Sequence, residues 1–175
     1  MTLGCETPGV AELSIQGLTV NDLDFAWSML YEAAFWRPAQ PSRPRPPRDM
    51  SRSPELRRYL DGWGRPGDAG LVALAGGTRV GAAWYRLLPS TEHGYGYIDP
   101  RTPELTIAVV TTVRGRGVGR ALLAALVCQA GLDGHQALSL SVEQDNPAMA
   151  LYRAAGFEAV GRADHSMTMR LVLAA

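Results

Sequence analysis

Three glycines on alternate positions, Gly115, Gly117 and Gly119, stand among Arg114, Arg116 and Arg120. Without Cβ atoms, such a run lets a ligand come into contact with main-chain N–H groups. Where a helix begins in the same run, the free N–H groups of its first turn converge on that ligand, and the helix dipole adds about half a positive charge. The arginines add full charges and can fork onto outer oxygens. Donors converging from several residues suit a pyrophosphate better than a single carboxylate, so the chemistry implied is the binding of a phosphorylated cofactor.

Two better-known glycine-rich turns fit less well. The phosphate loop of nucleotide hydrolases reads G-x-x-x-x-G-K-[ST], and this chain contains no lysine at all, so nothing is placed to reach a β- or γ-phosphate. A dinucleotide fingerprint, G-x-G-x-x-G, would need its third glycine one place later than Gly119. Kinase, ATPase and nicotinamide chemistry are therefore disfavoured.

The elements that must position this run follow from periodicity. Leu105 to Val110 is a short apolar, β-branched strand, and from Gly119 the residues Leu122, Leu123, Leu126 and Val127 recur at helical spacing. Upstream, Glu12 to Gly17 alternates as a strand. Asp22 to Trp36 carries Leu23, Phe25, Ala26, Met29, Leu30, Ala33 and Ala34 on one helical face, with Thr19 or Asn21 as cap. Residues 37–52 form a proline- and arginine-rich loop, with five prolines between Arg37 and Asp49; it reads as a solvated connection, a substrate gate or a polyproline ligand. Ser53-Pro54-Glu55 starts a helix running to Leu60. Leu71 to Ala75 and Arg79 to Leu87 form a hairpin about Gly76 and Gly77. Beyond the central helix come a strand over Gln136 to Val142, a helix over Pro147 to Ala155 ended by Gly156, and closing strands over Phe157 to Ala163 and Met167 to Leu173.

Two motifs now bear a family resemblance. Arg114, Gly117 and Gly119 occupy the defined positions of [QR]-x-x-G-x-[GA], and Ser139 to Phe157, ending Leu151-Tyr152-x-x-x-Gly156-Phe157, follows at the right separation. Together with the element order, they make nearly the whole chain resemble the GNAT superfamily of N-acetyltransferases. The resemblance implies one α+β domain over residues 1–175, a mixed and mostly antiparallel seven-stranded sheet flanked by about four helices. Strands four and five would splay apart to admit acetyl-CoA. The implied reaction is acetyl transfer to a primary amine of a small molecule or peptide by direct attack in a ternary complex. The alternative is a non-catalytic acyl-CoA-binding sensor.

The resemblance also assigns roles. The backbone of Ala108, Val109 and Val110 would bond the pantetheine amides and the acetyl oxygen. Arg114, Gly115, Arg116, Gly117, Val118, Gly119 and Arg120 would hold the pyrophosphate, and Asn146 would contact pantetheine or cap the following helix. Tyr152 matches the general acid that faces the cofactor sulfur. For the base, Glu104 leads, at the start of the central strand; many relatives carry a carboxylate where this chain has Ser141, which leaves Glu143, Glu32, a water chain or no protein base as alternatives. Trp36, Trp84, Tyr85, Tyr95 and Tyr97, with Glu32 and His93, fall on elements that line the family's acceptor side, and each is also readable as packing.

Composition sets outer limits. Seventeen basic and seventeen acidic residues cancel, so no global field points to nucleic acid or a membrane surface. Cys5 and Cys128 make neither a disulfide framework nor a metal set, His93 alone is no metal site, and Cys128 reads as a small buried hydrophobe. No apolar run approaches the ~20 residues of a spanning helix, and Met1 to Val10 reads as a loose terminus without signal-peptide features. The expectation is a soluble cytoplasmic protein, with a homodimer left open.

Overall fold

The strand pattern of the sequence becomes one sheet in the computed structural model, which describes residues 12–37 and 53–173. The expectations for residues 1–10 and 38–52 lie outside the described residues. In chain order the elements are β1 (Leu13–Gly17), α1 (Leu23–Ala34), α2 (Pro54–Arg57), β2 (Ala69–Ala75), β3 (Thr78–Arg86), β4 (Glu104–Val109), α3 (Val118–Leu132), β5 (Ala137–Glu143), α4 (Ala148–Ala154), β6 (Glu158–Ala163) and β7 (Ser166–Val172). The seven strands lie in the order β1-β2-β3-β4-β5-β7-β6. Every neighbouring pair is antiparallel except β4 and β5. The β2–β3 hairpin closes through Gly76 and Gly77, whose φ angles of 55° and 80° suit the turn that matches strand twist.

Side-chain alternation divides the core between the two faces of the sheet. On β3, Ala83 and Tyr85 join Leu122, Leu126, Leu138 and Met169 beneath α3, whereas Ala82 and Trp84 join Met29, Leu30, Tyr59 and Leu60 beneath α1 and α2. Packing, rather than propensity, decides α3. Gly119 and Gly131 each cost about 1 kcal/mol against alanine, while burying Leu122, Leu123 and Leu126 contributes about 1.5–3 kcal/mol apiece.

Three sequence expectations change. Cys128 is exposed, not buried; it lies two residues, or about 200°, beyond Leu126 on the helix and so faces away from the sheet. Trp84 and Tyr85 are both fully buried in the sheet, far from any role as acceptor-side contacts. Their polar atoms are both committed to the protein, the Trp84 indole N–H to the Tyr59 carbonyl at 3.0 Å and the Tyr85 hydroxyl to exposed Asp133 at the end of α3. The second helix also stops at Arg57, and Tyr59 and Leu60 enter the core from the turn that follows.

That turn is fastened by a buried arginine. Arg86, at the end of β3, pairs with buried Asp68 through Nε at 2.9 Å and Nη2 at 2.8 Å. Its remaining donors reach the carbonyls of Arg58 and Asp61 at 2.9 Å and Gly62 at 3.3 Å. All five guanidinium protons therefore have acceptors, the condition under which a buried ion pair is tolerated. Arg86→Ala leaves Asp68 buried without its partner and should destabilise the fold by about 3–5 kcal/mol in urea denaturation; a loss under about 1 kcal/mol would contradict the latch.

Candidate active site in the splay between two strands

β4 and β5 run parallel but pair at a single register position, Glu104 with Ser139, beside the bond from the Ser139 amide to the Pro103 carbonyl at 2.9 Å. Past that point β4 stays with β3 and β5 with β7, and a cleft of about 1430 Å³ opens between them. Its walls include the β4 backbone, the turn before α3, the start of α4, and side chains of Glu104 and Tyr152.

The ladder with β3 dictates which β4 backbone groups face the cleft. The Val110 amide donates to the Val80 carbonyl at 2.9 Å. Antiparallel alternation then turns Ala108 toward β3 as well, and directs the N–H and C=O groups of Ile107 and Val109 toward β5. Of the three residues expected to offer backbone bonds, Val109 alone keeps its amide on the cleft side, and Ile107, absent from that expectation, joins it.

The glycine turn lies at the cleft mouth. Gly115 and Gly117 have φ of 77° and 86°, a left-handed conformation that glycine adopts without strain, and Gly117 caps α3. A Cβ at either would meet nothing within 4 Å, so both glycines serve backbone shape and leave open space in front. The buried side chain of Val118 anchors the turn to the core. Among the described residues, the amides of Gly115, Arg116, Gly117, Val118, Gly119 and Arg120 donate to no protein acceptor. Arg114 is turned elsewhere, its Nε on the Val109 carbonyl at 3.0 Å and its Nη2 on Glu32 of α1 at 2.8 Å. It ties the turn to β4 and α1, while Arg116 and Arg120 project on the exposed side.

Glu104 is buried, with 4% of its surface exposed. Its Oε1 accepts from the Tyr59 hydroxyl and from the Gly96 amide, both at 2.8 Å, and its Oε2 is buried with no hydrogen-bond partner among the described residues. Burial raises its carboxyl above the ordinary glutamate range, and the bonds from Tyr59 and Gly96 pull it down without cancelling that effect. Tyr152 is buried against Phe157, with ring centroids 5.9 Å apart, and its hydroxyl has no protein partner among the described residues. Desolvation alone pushes its phenol well above the usual tyrosine value, so it stays protonated.

The alternative carboxylates are engaged. Glu143 accepts from the Trp36 indole at 3.2 Å and pairs with Arg37, which also grips Asp145 through two bonds of 2.8 Å. Glu32 holds Arg114. The Asn146 Oδ1 accepts the Ala148 amide at 2.9 Å, one residue before the Pro147 N-cap of α4, so that oxygen is committed to the turn that starts the helix, although the residue also lines the cleft. Tyr95 lines the cleft with its hydroxyl on Glu55 at 2.9 Å, whereas His93 and Tyr97 stack on each other.

Three residues of this site escaped the sequence reading. Tyr59 lies 45 positions from the carboxylate it bonds. The sequence assigns Gly94 and Gly96 no role, yet a Cβ on Gly94 would collide with the Glu104 Oε2, and one on Gly96 with the Leu140 carbonyl carbon. The G-x-G spacing was the available signal, but nothing local says what the glycines approach.

The model of the Acetyltransferase (GNAT) family matches residues 29–157. In the solved structures, the GNAT domain of the S. lividans PAT protein is similar at 19% identity and TM-score 0.71, covering 98% of this chain and 97% of that one. The ribosomal-protein-alanine N-acetyltransferase of Brucella melitensis is 26% identical with TM-score 0.65, covering 91% and 99%. A putative acetyltransferase of Salmonella typhimurium, determined with its cofactor acetyl-CoA, is 22% identical with TM-score 0.64, covering 93% and 94%. An uncharacterized protein of Mycobacterium leprae is 53% identical over 68 residues, a stretch that spans 38% of this chain and only 18% of that protein.

A buried acid whose native pKa is raised adds stability at low pH and loses it as pH rises through the native value. Glu104→Gln, which stays neutral, should therefore gain in Tm relative to the unmodified chain as pH climbs through and above the ordinary carboxylate range. A Tm difference that is flat with pH would contradict a raised Glu104.

Proposed function

Because the chain belongs to the GNAT acetyltransferase family, we propose that it transfers an acetyl group from acetyl-CoA to a primary amine of a small molecule or peptide, by direct attack in a ternary complex. The observation that carries this reading is the row of amides from Gly115 to Arg120, without partners among the described residues, at the mouth of a cleft that also contains Glu104 and Tyr152. The acetyl-CoA held by the Salmonella relative is consistent with it.

The amides of the turn and the first turn of α3 suit the diphosphate, with Arg116 and Arg120 supplying positive charge. The cleft-facing groups of Ile107 and the Val109 amide suit the amides of the pantetheine arm; the Val109 carbonyl already accepts from Arg114. The amine nitrogen attacks the thioester carbonyl carbon, a C–N bond forms, and the C–S bond breaks as the tetrahedral adduct collapses. Glu104 takes the ammonium or adduct proton, directly or through water. Its raised basicity brings it closer to the amine it must deprotonate, the condition under which general-base catalysis is efficient. Tyr152, held neutral by burial, supplies a proton to the departing thiolate.

Two measurements test this. Gly117→Asp places a carboxylate in the open space before the turn, on a φ of 86° that disfavours a side chain. CoA affinity by calorimetry should fall roughly a hundredfold or more, and unchanged affinity would move the diphosphate elsewhere. Tyr152→Phe should lower kcat by roughly 10²–10⁴ in free-thiol release with an amine panel, with CoA affinity kept. Tight CoA binding with no turnover across the panel would instead support the acyl-CoA sensor.

A further inference from the structure

Tyr59 occupies a position that the reaction outlined above does not use. Its backbone is fixed from three directions: its carbonyl takes the Trp84 indole N–H at 3.0 Å, its amide bonds the Leu56 carbonyl at 3.2 Å, and Arg86 grips the neighbouring carbonyls of Arg58 and Asp61. From that anchor its hydroxyl makes two contacts, to the Glu104 Oε1 at 2.8 Å and to the main-chain nitrogen of Tyr95 at 2.9 Å.

The chemistry of these partners fixes where the protons are. A backbone amide can only donate, so the Tyr95 N–H points into the phenol oxygen, and the phenol's own proton must point to Glu104. The Gly96 amide donates to the same Oε1. Oε1 therefore receives two donors and has no room to take up a third proton, while Oε2 is buried and has no partner among the described residues. We propose that Tyr59 is a positioning residue that commits Oε1 of Glu104 as acceptor and thereby makes Oε2 the oxygen that receives the substrate proton.

This inference rests on the proposed base role of Glu104. It also accounts for the glycines of the facing loop. Gly94 packs against Oε2 and the Tyr59 hydroxyl, where a Cβ would collide with both, and Gly96 lets its amide reach Oε1 where a Cβ would collide with the Leu140–Ser141 backbone of β5. Besides Tyr59, the charged groups that act on Glu104 are His93 in the facing loop and Arg58 beside α2, and both favour the carboxylate. Arg86, opposite on β3, is committed to Asp68, and Ser139, opposite on β5, carries no charge.

The test is a titration of the Glu104 carboxyl carbon by NMR in the full chain labelled at glutamate, read beside the pH profile of kcat/KM. Tyr59→Phe removes one donor from the carboxylate and leaves the ring in place. Its Glu104 midpoint should rise, and kcat/KM should fall roughly tenfold on the acid limb, with the alkaline plateau and the amine KM largely retained. Tyr95→Phe, which removes only the hydroxyl bonded to Glu55 and keeps the amide, should leave the midpoint in place. An unmoved midpoint in Tyr59→Phe, or an equal move in Tyr95→Phe, would overturn the inference. A Glu104→Gln enzyme with the unmodified pH profile would instead remove the base role itself, and that failure is visible without the titration.

Discussion

The single register pair between β4 and β5 is the constraint on which the rest of the structure depends. A parallel pair carried along its length would consume the cleft-side backbone groups of β4 and close the sheet. Here each strand has a full antiparallel partner on its other side, so the sheet survives the gap and the gap keeps its polar lining. The Ser139 to Pro103 bond pins the apex. Glu104 stands at that apex, the glycine turn at the opposite mouth, and Val109 between them on the same strand. A hinge point in the sheet thus sets the spacing of every group proposed to touch the substrates.

The apex is also where the fold carries its polar burden. A carboxylate buried at Glu104 costs free energy that two hydrogen bonds reduce only in part, which is why its protonation lies above the ordinary range. Neighbouring structure is arranged to hold that state. Arg86 and Asp68 fix the turn that carries Tyr59, and the loop glycines pack too closely for any side chain. Stability and reactivity meet in one cluster, the expected location of a local departure from good packing.

Much of this was legible in the sequence because it is local. The observed strands and helices lie within a few residues of those read from periodicity, since alternation on β3 and the leucine spacing of α3 report directly on which faces are buried. The turn of Gly115, Gly117 and Gly119 was legible for the same reason: free amides at a helix start follow from neighbouring residues alone. What escaped depends on long-range contact. Arg114 reads as an anion ligand until Glu32, 82 positions away, is seen beside it, and no spacing rule links Tyr59 or Gly96 to Glu104. The exposure of Cys128 was within reach of a helical projection, whereas the partner of the Tyr85 hydroxyl, Asp133 at the end of α3, lies 48 positions away.

The central claim is that the main-chain amides of the turn before α3 grip the diphosphate of coenzyme A. The most direct measurement is a backbone amide NMR titration with coenzyme A and, separately, with pantetheine, which carries the thiol arm but no diphosphate. The account expects the Gly115, Gly117, Val118 and Gly119 amides to shift strongly with coenzyme A and little with pantetheine, while Ile107 and Val109 respond to both. Turn amides that stay in place with coenzyme A, or that move equally with pantetheine, would contradict it.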